Sequence, residues 1–273
     1  MRLITIPMSH YCEKARWGLV HAGVDYVEDA HLQVFHYLAV RRHGSRGMVP
    51  VLITDTGAVA DSTSMLHVLD ARLPDASRLY PEQQRGEVES LEEYFDEQLG
   101  VETRRWVYFH WMNLPVREVL KTAAHGVPAW QRLIAPLLFP VLRLFLNRKL
   151  AISRANVDRG VQLIAGIFDE VAARLGDGRP YLCGDRFTAA DLSFACMAAP
   201  VILPPEYGIP LPTPDQAPAP ARDDIRRFRV HPAGQFALRL FAEHRRDAAA
   251  GPEAPAQLSS LPKISYTSSG PSL

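Results

Sequence analysis

Cysteine is scarce in this sequence of 273 residues, and net charge is absent. The three cysteines, Cys12, Cys183 and Cys196, are an odd set without paired metal-ligand spacing, so we expect no metal site. The N-terminus lacks the basic-then-apolar layout of a secretory signal, which favours a reduced, cytoplasmic protein. Lysine plus arginine and aspartate plus glutamate each number 30, so the overall balance indicates no nucleic-acid partner. Any function that depends on charge must therefore use a local group of charged residues.

A long apolar run is also missing. The most apolar stretch covers residues 129–150, but its uninterrupted apolar core, Leu133–Leu142, is too short to span a bilayer. Pro136 and Pro140 lie inside that core, and basic residues punctuate the stretch. We therefore predict a buried or groove-lining helix, not a membrane anchor, and no transmembrane segment.

The start of the chain alternates between strand and helix patterns. An apolar strand from Leu3 to Ile6 is followed by a helix that ends at Gly23, and a second short strand is predicted over Asp25–Glu28. A β-hairpin is predicted within residues 48–60, followed by a third helix that opens at Asp61-Ser62. These patterns predict an α/β first domain over residues 1–76.

Beyond this point every strong pattern is helical. Residues 77–81 form the predicted linker and residues 82–247 an all-α domain, whereas the tail, 248–273, is predicted to be disordered. Within the helical part, Thr188 and Asp191 are spaced as the N-cap and N3 residues of a capping box. We interpret this pair as a folding signal.

Four motifs occur in a particular order: Ser9-His10-Tyr11-Cys12, Met48-Val49-Pro50-Val51-Leu52, Asp61-Ser62 and Phe187-Thr188-Ala189-Ala190-Asp191. In this order and at these separations the chain resembles the cytosolic glutathione transferase superfamily. The resemblance implies a thioredoxin-like N-terminal domain with a mixed four-stranded sheet, followed by an all-helical bundle. It also implies glutathione as co-substrate, a hydrophobic electrophile as second substrate, and a homodimer.

The resemblance further implies which residues bind glutathione. Met48, Val49 and Pro50 would form the segment that pairs with the cysteinyl part, with a cis bond at Pro50 and the Val49 backbone facing the ligand. The Ser62 hydroxyl and N–H would take the γ-glutamyl carboxylate, and Asp61 would face the ammonium group. One basic residue of the loop after the second helix is expected to take the glycyl carboxylate; the candidates are Arg41, Arg42, His43 and Arg46.

Three residues at the first strand-to-helix turn are catalytic candidates. The Ser9 hydroxyl can donate to the sulfur of glutathione and lower its thiol pKa, although serine at this position also serves as a helix cap. Cys12 is the alternative: Ser-His-Tyr-Cys resembles a thioredoxin or glutaredoxin motif whose first cysteine has become serine. Tyr11 ranks below Ser9, because the family's catalytic tyrosine lies at the end of the first strand.

The electrophile pocket is expected against the first long helices of the second domain, where the sequence carries Trp106, Phe109 and His110. These observations favour a glutathione transferase that conjugates the glutathione thiolate to a hydrophobic electrophile. Two alternatives remain open. One is a non-catalytic binding module with the same fold, and the other is a glutathione-dependent thiol reductase that works through Cys12.

Overall fold

The computed structural model describes residues 1–43, 45 and 47–245, so Arg46 and the tail predicted at 248–273 lie outside the described residues. The N-terminal part contains a four-stranded mixed sheet with strand order β2-β1-β3-β4. β1 pairs in parallel with β2 and antiparallel with β3, and β3 pairs antiparallel with β4. The strands are β1 Arg2–Thr5, β2 Val27–Ala30, β3 Val51–Thr54 and β4 Gly57–Ala60.

The second strand lies two residues later than its sequence pattern predicts. Its register begins with Val27 opposite Arg2, so Asp25 precedes the sheet. Val24 and Tyr26 instead pack against the apolar cluster under the sheet, which explains the apolar pattern ahead of the strand. The predicted span of Asp25–Glu28 is therefore wrong by this offset.

Helices cover both faces of the sheet because its side chains alternate in direction. Leu3 and Leu52 point to one face and pack with α1 and α3, whereas Ile4 and Val51 point to the other face and pack with α2. The three helices are α1 His10–His21, α2 His36–Arg41 and α3 Ser62–Asp70. This mixed α/β arrangement followed by helices confirms the predicted fold class.

The rest of the described chain is helical. A π-helical turn, Phe95–Leu99, joins α4 to α5. Short 3₁₀ segments accompany the main helices at Asp75–Ser77, Glu82–Gln84, Pro214–Gln216 and Ala219–Ala221. The main helices are α4 Arg85–Tyr94, α5 Gly100–Trp111, α6 Val116–Ala123, α7 Ala129–Lys149, α8 Arg154–Arg174, α9 Ala189–Ile202, α10 Arg222–Val230 and α11 Pro232–His244.

Helix α9 is the centre of the helical part, because all of its residues are buried and α1, α4, α5, α10 and α11 all contact it. The predicted capping box at its N-terminus is confirmed. The Thr188 N–H and hydroxyl each donate to Asp191 Oδ2 at 2.8 Å, and the Leu182 N–H donates to Asp191 Oδ1 at 2.8 Å. One carboxylate thereby satisfies three donors at a helix end that water does not reach.

A buried ionic network joins the sheet part of the chain to the helices. Lys14 on α1 is fully buried, and its Nζ lies 2.8 Å from a Glu92 oxygen and 2.5 Å from Asp96 Oδ2. The same ammonium donates to Thr63 Oγ1 on α3 at 2.8 Å. Burial alone would lower the pKa of Lys14, but the two carboxylates reverse that effect and keep its pKa above the ordinary value.

Helix α7 matches the predicted groove-lining helix in part. It continues through Pro136 and Pro140, and one of its faces lines a cavity described below. Its opposite face is exposed rather than buried, with Leu133 and Leu137 at 81% and 80% exposure. Among the described residues, α7 is the one helix whose length and composition would allow it to cross a membrane.

We expect the variant Asp191→Ala to lower the free energy of unfolding by about 3 kcal/mol, because it leaves buried donors at the start of α9 without an acceptor. Urea denaturation of the purified protein measures this change. The control is Asp185→Ala, an exposed aspartate in the same connection, which should change stability by less than ~0.5 kcal/mol. Equal effects of the two substitutions would contradict the role assigned to Asp191.

Candidate functional site

A cavity of about 730 Å³ lies between the sheet part of the chain and helices α5 and α7. This volume is in the range of small-molecule sites. Its wall brings together the three motifs that the sequence placed near glutathione. They are Ser9-His10-Tyr11, Met48-Val49-Pro50 and Asp61-Ser62.

Ser9 lies on this wall as the N-cap of α1. Its Oγ accepts a hydrogen bond from the Cys12 N–H at 3.3 Å, so the capping role is present in the structure. A serine hydroxyl that accepts one bond still has its own proton to donate. An anionic sulfur placed here would meet that hydroxyl and the positive end of α1.

Cys12 is in a different environment, although it lies one helical turn from Ser9. It is fully buried, outside the cavity wall, and its sulfur accepts from the Ile6 N–H at 3.5 Å. Burial raises the pKa of the Cys12 thiol, which disfavours the reactive thiolate. Cys183 and Cys196 are also buried free thiols.

Tyr11 contributes its ring to the wall, but its hydroxyl is engaged elsewhere. The hydroxyl donates to the backbone carbonyl of Asp96 at 2.7 Å. Burial raises the pKa of Tyr11 to about 12. The Tyr11 hydroxyl is therefore already hydrogen-bonded to the helical part of the chain, so it is a poor candidate to donate to the sulfur of glutathione.

His10 is a buried part of the wall. Burial, and then the Arg104 guanidinium, lower the pKa of His10 to about 3, so the ring is neutral near pH 7. Its Nε2 has no hydrogen-bond partner among the described residues. His10 is thus a neutral, buried ring at the cavity wall near pH 7.

The segments at Val49 and Ser62 form the opposite side of the cavity. The Val49–Pro50 bond is cis, as the resemblance implies, and the Val49 N–H and C=O have no hydrogen-bond partner in the described part of the chain. Ser62 begins α3 and is 1% exposed, yet its Oγ has no partner among the described residues. Asp61 caps the same helix, with its Oδ2 accepting from the Ser64 N–H at 3.0 Å.

The basic residues in the wall differ from those the loop suggested. Arg41, Arg42 and His43 do not line the cavity, and His43 instead lies 3.0 Å from Arg2 Nη2. The basic side chains that do line it are Arg104 and Lys149, and two histidines, His10 and His36, line it as well. The sequence pattern pointed to one loop, whereas these four residues come from four separate helices, α1, α2, α5 and α7.

The aromatic residues proposed from α5 lie on the other side of that helix. Trp106 is buried and its indole N–H donates to Asp224 at 2.9 Å, while Phe109 and His110 pack beside it and are absent from the cavity wall. The prediction is corrected to the residues at i, i+3, i+4 and i+7 that do line the cavity. They are Arg104, Val107, Tyr108 and Trp111.

We expect His10 to contribute to the pH dependence of stability. Its pKa is lower in the folded protein than its ordinary value of 6.5, so the unfolded chain binds the extra proton first and stability falls as pH drops from 6.5 towards 3. Between pH 7 and pH 5 the free energy of unfolding should therefore fall by about 2 kcal/mol less in the variant His10→Gln than in the wild type. Urea denaturation at both pH values measures this, with His125→Gln as the exposed control.

Two sequence models of one family match the chain. The model described as glutathione S-transferase, N-terminal domain, matches residues 3–77. The model described as glutathione S-transferase, C-terminal domain, matches residues 154–227, and the two matches together span more than half of the chain. No curated protein sequence is significantly similar to it.

Solved structures of glutathione transferases share this fold. A mutant of poplar glutathione transferase F1 is 14% identical, with a TM-score of 0.57 over 90% of this chain and 93% of that one. The theta class enzyme of Xanthomonas axonopodis pv. citri, with glutathione bound, is 18% identical, with a TM-score of 0.52 over 87% and 96%. A glutathione S-transferase of Methylobacterium radiotolerans, in complex with glutathione sulfonate, is 21% identical, with a TM-score of 0.50 over 87% and 93%.

Both domain matches agree with the observed order of a mixed sheet followed by helices, and the structural similarity extends over most of the chain. The chain belongs to the cytosolic glutathione transferase superfamily.

Proposed function

We propose that this protein conjugates the thiolate of glutathione to a hydrophobic electrophile. The observation that carries the proposal is Ser62 at the start of α3, which lines the same cavity as the Ser9 cap of α1 and whose buried hydroxyl has no hydrogen-bond partner in the part of the chain that the structure describes. Two helix N-termini on one cavity suit a ligand with at least two anionic groups. Glutathione in its thiolate form is such a ligand, and two of the similar structures hold glutathione or its sulfonate.

In this proposal the γ-glutamyl carboxylate accepts hydrogen bonds from the Ser62 hydroxyl and from the first N–H groups of α3. The Val49 backbone pairs with the cysteinyl part, because its N–H and C=O are otherwise unused among the described residues. Met48 and Pro50 fix the segment on either side of Val49, and the Asp61 carboxylate lies next to Ser62 to face the ammonium group.

The sulfur then lies at the start of α1. The thiol proton leaves to solvent, and the Ser9 hydroxyl and the positive helix end stabilise the thiolate that remains. The thiolate forms a carbon–sulfur bond to the electrophile, which either loses its leaving group or takes up a proton. Because Cys12 is sealed from the cavity, the step uses the thiol of glutathione rather than a protein thiol.

The electrophile is proposed to occupy the part of the cavity nearest α5 and α7. This part is lined by Val107, Trp111, Leu138, Leu142 and Phe145, so it suits an apolar group. Arg104 is the basic residue on the same wall, and its Nε has no hydrogen-bond partner among the described residues. It is positioned to interact with negative charge on either substrate.

Three expectations from the sequence accompany this proposal: a homodimer, a cytoplasmic location, and domains that divide at the 77–81 connection. The resemblance supports the dimer, and the scarcity of cysteine supports the reducing compartment.

We expect Ser9→Ala to lower kcat for conjugation of an aromatic chloride by about 10²-fold, because it removes one hydrogen bond to the thiolate. Absorbance assays over a pH series measure this effect, and the pKa of bound glutathione should rise. Ser9→Thr keeps the hydroxyl and the cap and should restore most of the rate. Unchanged conjugation in Ser9→Ala would contradict the role assigned to Ser9. Glutathione-dependent disulfide reduction that is lost in Cys12→Ser but not in Ser9→Ala would instead support the thiol reductase.

We expect Ser62→Ala to weaken glutathione binding by about 10-fold or more, because a hydrogen bond to a charged group contributes about 1.5–3 kcal/mol. Isothermal calorimetry measures the dissociation constant. Ser64→Ala on the same turn is the matched control, since Ser64 does not line the cavity. If the wild type gave no saturable heat with glutathione, the non-catalytic binding module would replace the proposed function.

A further inference from the structure

The outward face of α7 carries a continuous apolar stripe, which we call the α7 stripe. Its members recur at intervals of three or four residues, so they lie along one side of the helix. Leu133 and Leu137 are 81% and 80% exposed, which is unusual for leucines on a folded domain. The α7 stripe consists of Trp130, Leu133, Leu137, Val141 and Leu144, of which Val141 also borders the cavity.

The charge around the stripe is of one sign, although the whole chain is neutral. The sequence contains no acidic residue from 119 to 157. On α7 itself the four basic residues are exposed and form no salt bridge with any described carboxylate. They are Arg132, Arg143, Arg148 and Lys149.

The positions of these residues suit the boundary of an anionic bilayer. Arg132 and Arg143 are eleven residues apart, close to three helical turns, so they lie on the same side of the stripe. Arg148 continues the line of the stripe at its C-terminal end, and Trp130 lies near its N-terminal end. Apolar residues on one face, arginines beside them and a terminal tryptophan are the features of a helix that lies in the plane of a membrane interface.

The attachments of α7 favour an in-plane arrangement over a spanning one. On its inner face the Gln131 amide accepts from the Leu32 N–H at 2.9 Å and lies 2.8 Å from His31. At the other end Lys149 donates to the Tyr37 hydroxyl at 3.3 Å. Because both ends are bonded to the sheet part of the chain, the helix axis runs along the protein surface.

We propose that the α7 stripe docks this protein on an anionic phospholipid surface, with α7 parallel to the membrane plane. The apolar side chains enter the interface and the arginines contact lipid phosphates. The inner face of the same helix lines the cavity, so docking places the cavity wall next to the bilayer. The proposal does not depend on the reaction proposed above.

The test is flotation of the purified full-length chain with vesicles of phosphatidylcholine alone or of equimolar phosphatidylcholine and phosphatidylglycerol. We expect binding to the anionic vesicles that weakens as salt is raised, because charge attraction is screened. The double substitution Leu133→Gln and Leu137→Gln should reduce partitioning about tenfold or more. The double substitution Arg132→Gln and Arg148→Gln should remove the preference for phosphatidylglycerol.

The matched control is Leu163→Gln, a leucine on α8 that is 54% exposed and lies outside the stripe, and it should bind like the wild type. Leu133 and Leu137 do not line the cavity, so conjugation of a soluble electrophile should be unchanged in their variant. A wild type that stays in the aqueous phase with both vesicle types would overturn the proposal. The proposal would also be overturned if the wild type were a dimer that does not bind vesicles and the Leu133/Leu137 double variant were a monomer. A second copy of the chain would then cover the stripe.

Discussion

A helix that is buried along its whole length must satisfy its terminal backbone groups without water, and α9 depends on the Asp191 carboxylate for this at its start. The consequence reaches beyond α9, because α1 packs on it from the sheet side while α4, α5, α10 and α11 pack on it from the helical part. The contact with α1 sets where the Ser9 turn lies relative to α5. The geometry of the cavity is therefore tied to a capping interaction that lies outside its wall.

The site shows how one helix N-terminus produces two different chemistries. Ser9 and Cys12 are separated by a single turn of α1, and the Cys12 N–H donates a hydrogen bond to Ser9 Oγ. Ser9 lines the cavity, whereas Cys12 is fully buried outside its wall. The partial positive charge at a helix start stabilises an anion only where a ligand can approach. Desolvation dominates at Cys12, so the same helix end does not lower the pKa of that thiol.

Local patterns predicted most of the fold. The β-hairpin, the amphipathic helices and the Thr188–Asp191 capping box follow from periodicity and turn chemistry, and the family resemblance added the cis bond at Pro50. The facing of α5 could not be predicted, because both of its sides carry aromatic residues. The choice depends on Trp106 donating to Asp224, more than a hundred residues away, and no local pattern reports such a contact. Likewise, Arg104 enters the cavity only because α5 packs with its other side against α8 and α9.

The buried amine of Lys14 has a consequence for the modularity of this fold. Its two carboxylate partners, Glu92 and Asp96, belong to the helical half, while Thr63, which shares its ammonium, adjoins Ser62 at the proposed glutathione site. A buried charge that loses its partners costs about 3–5 kcal/mol, a large part of the stability of a typical domain. The halves of this chain are thus not interchangeable parts. A chimera that joins this sheet half to a relative's helical half would need acidic residues at both of these positions, or a replacement for Lys14.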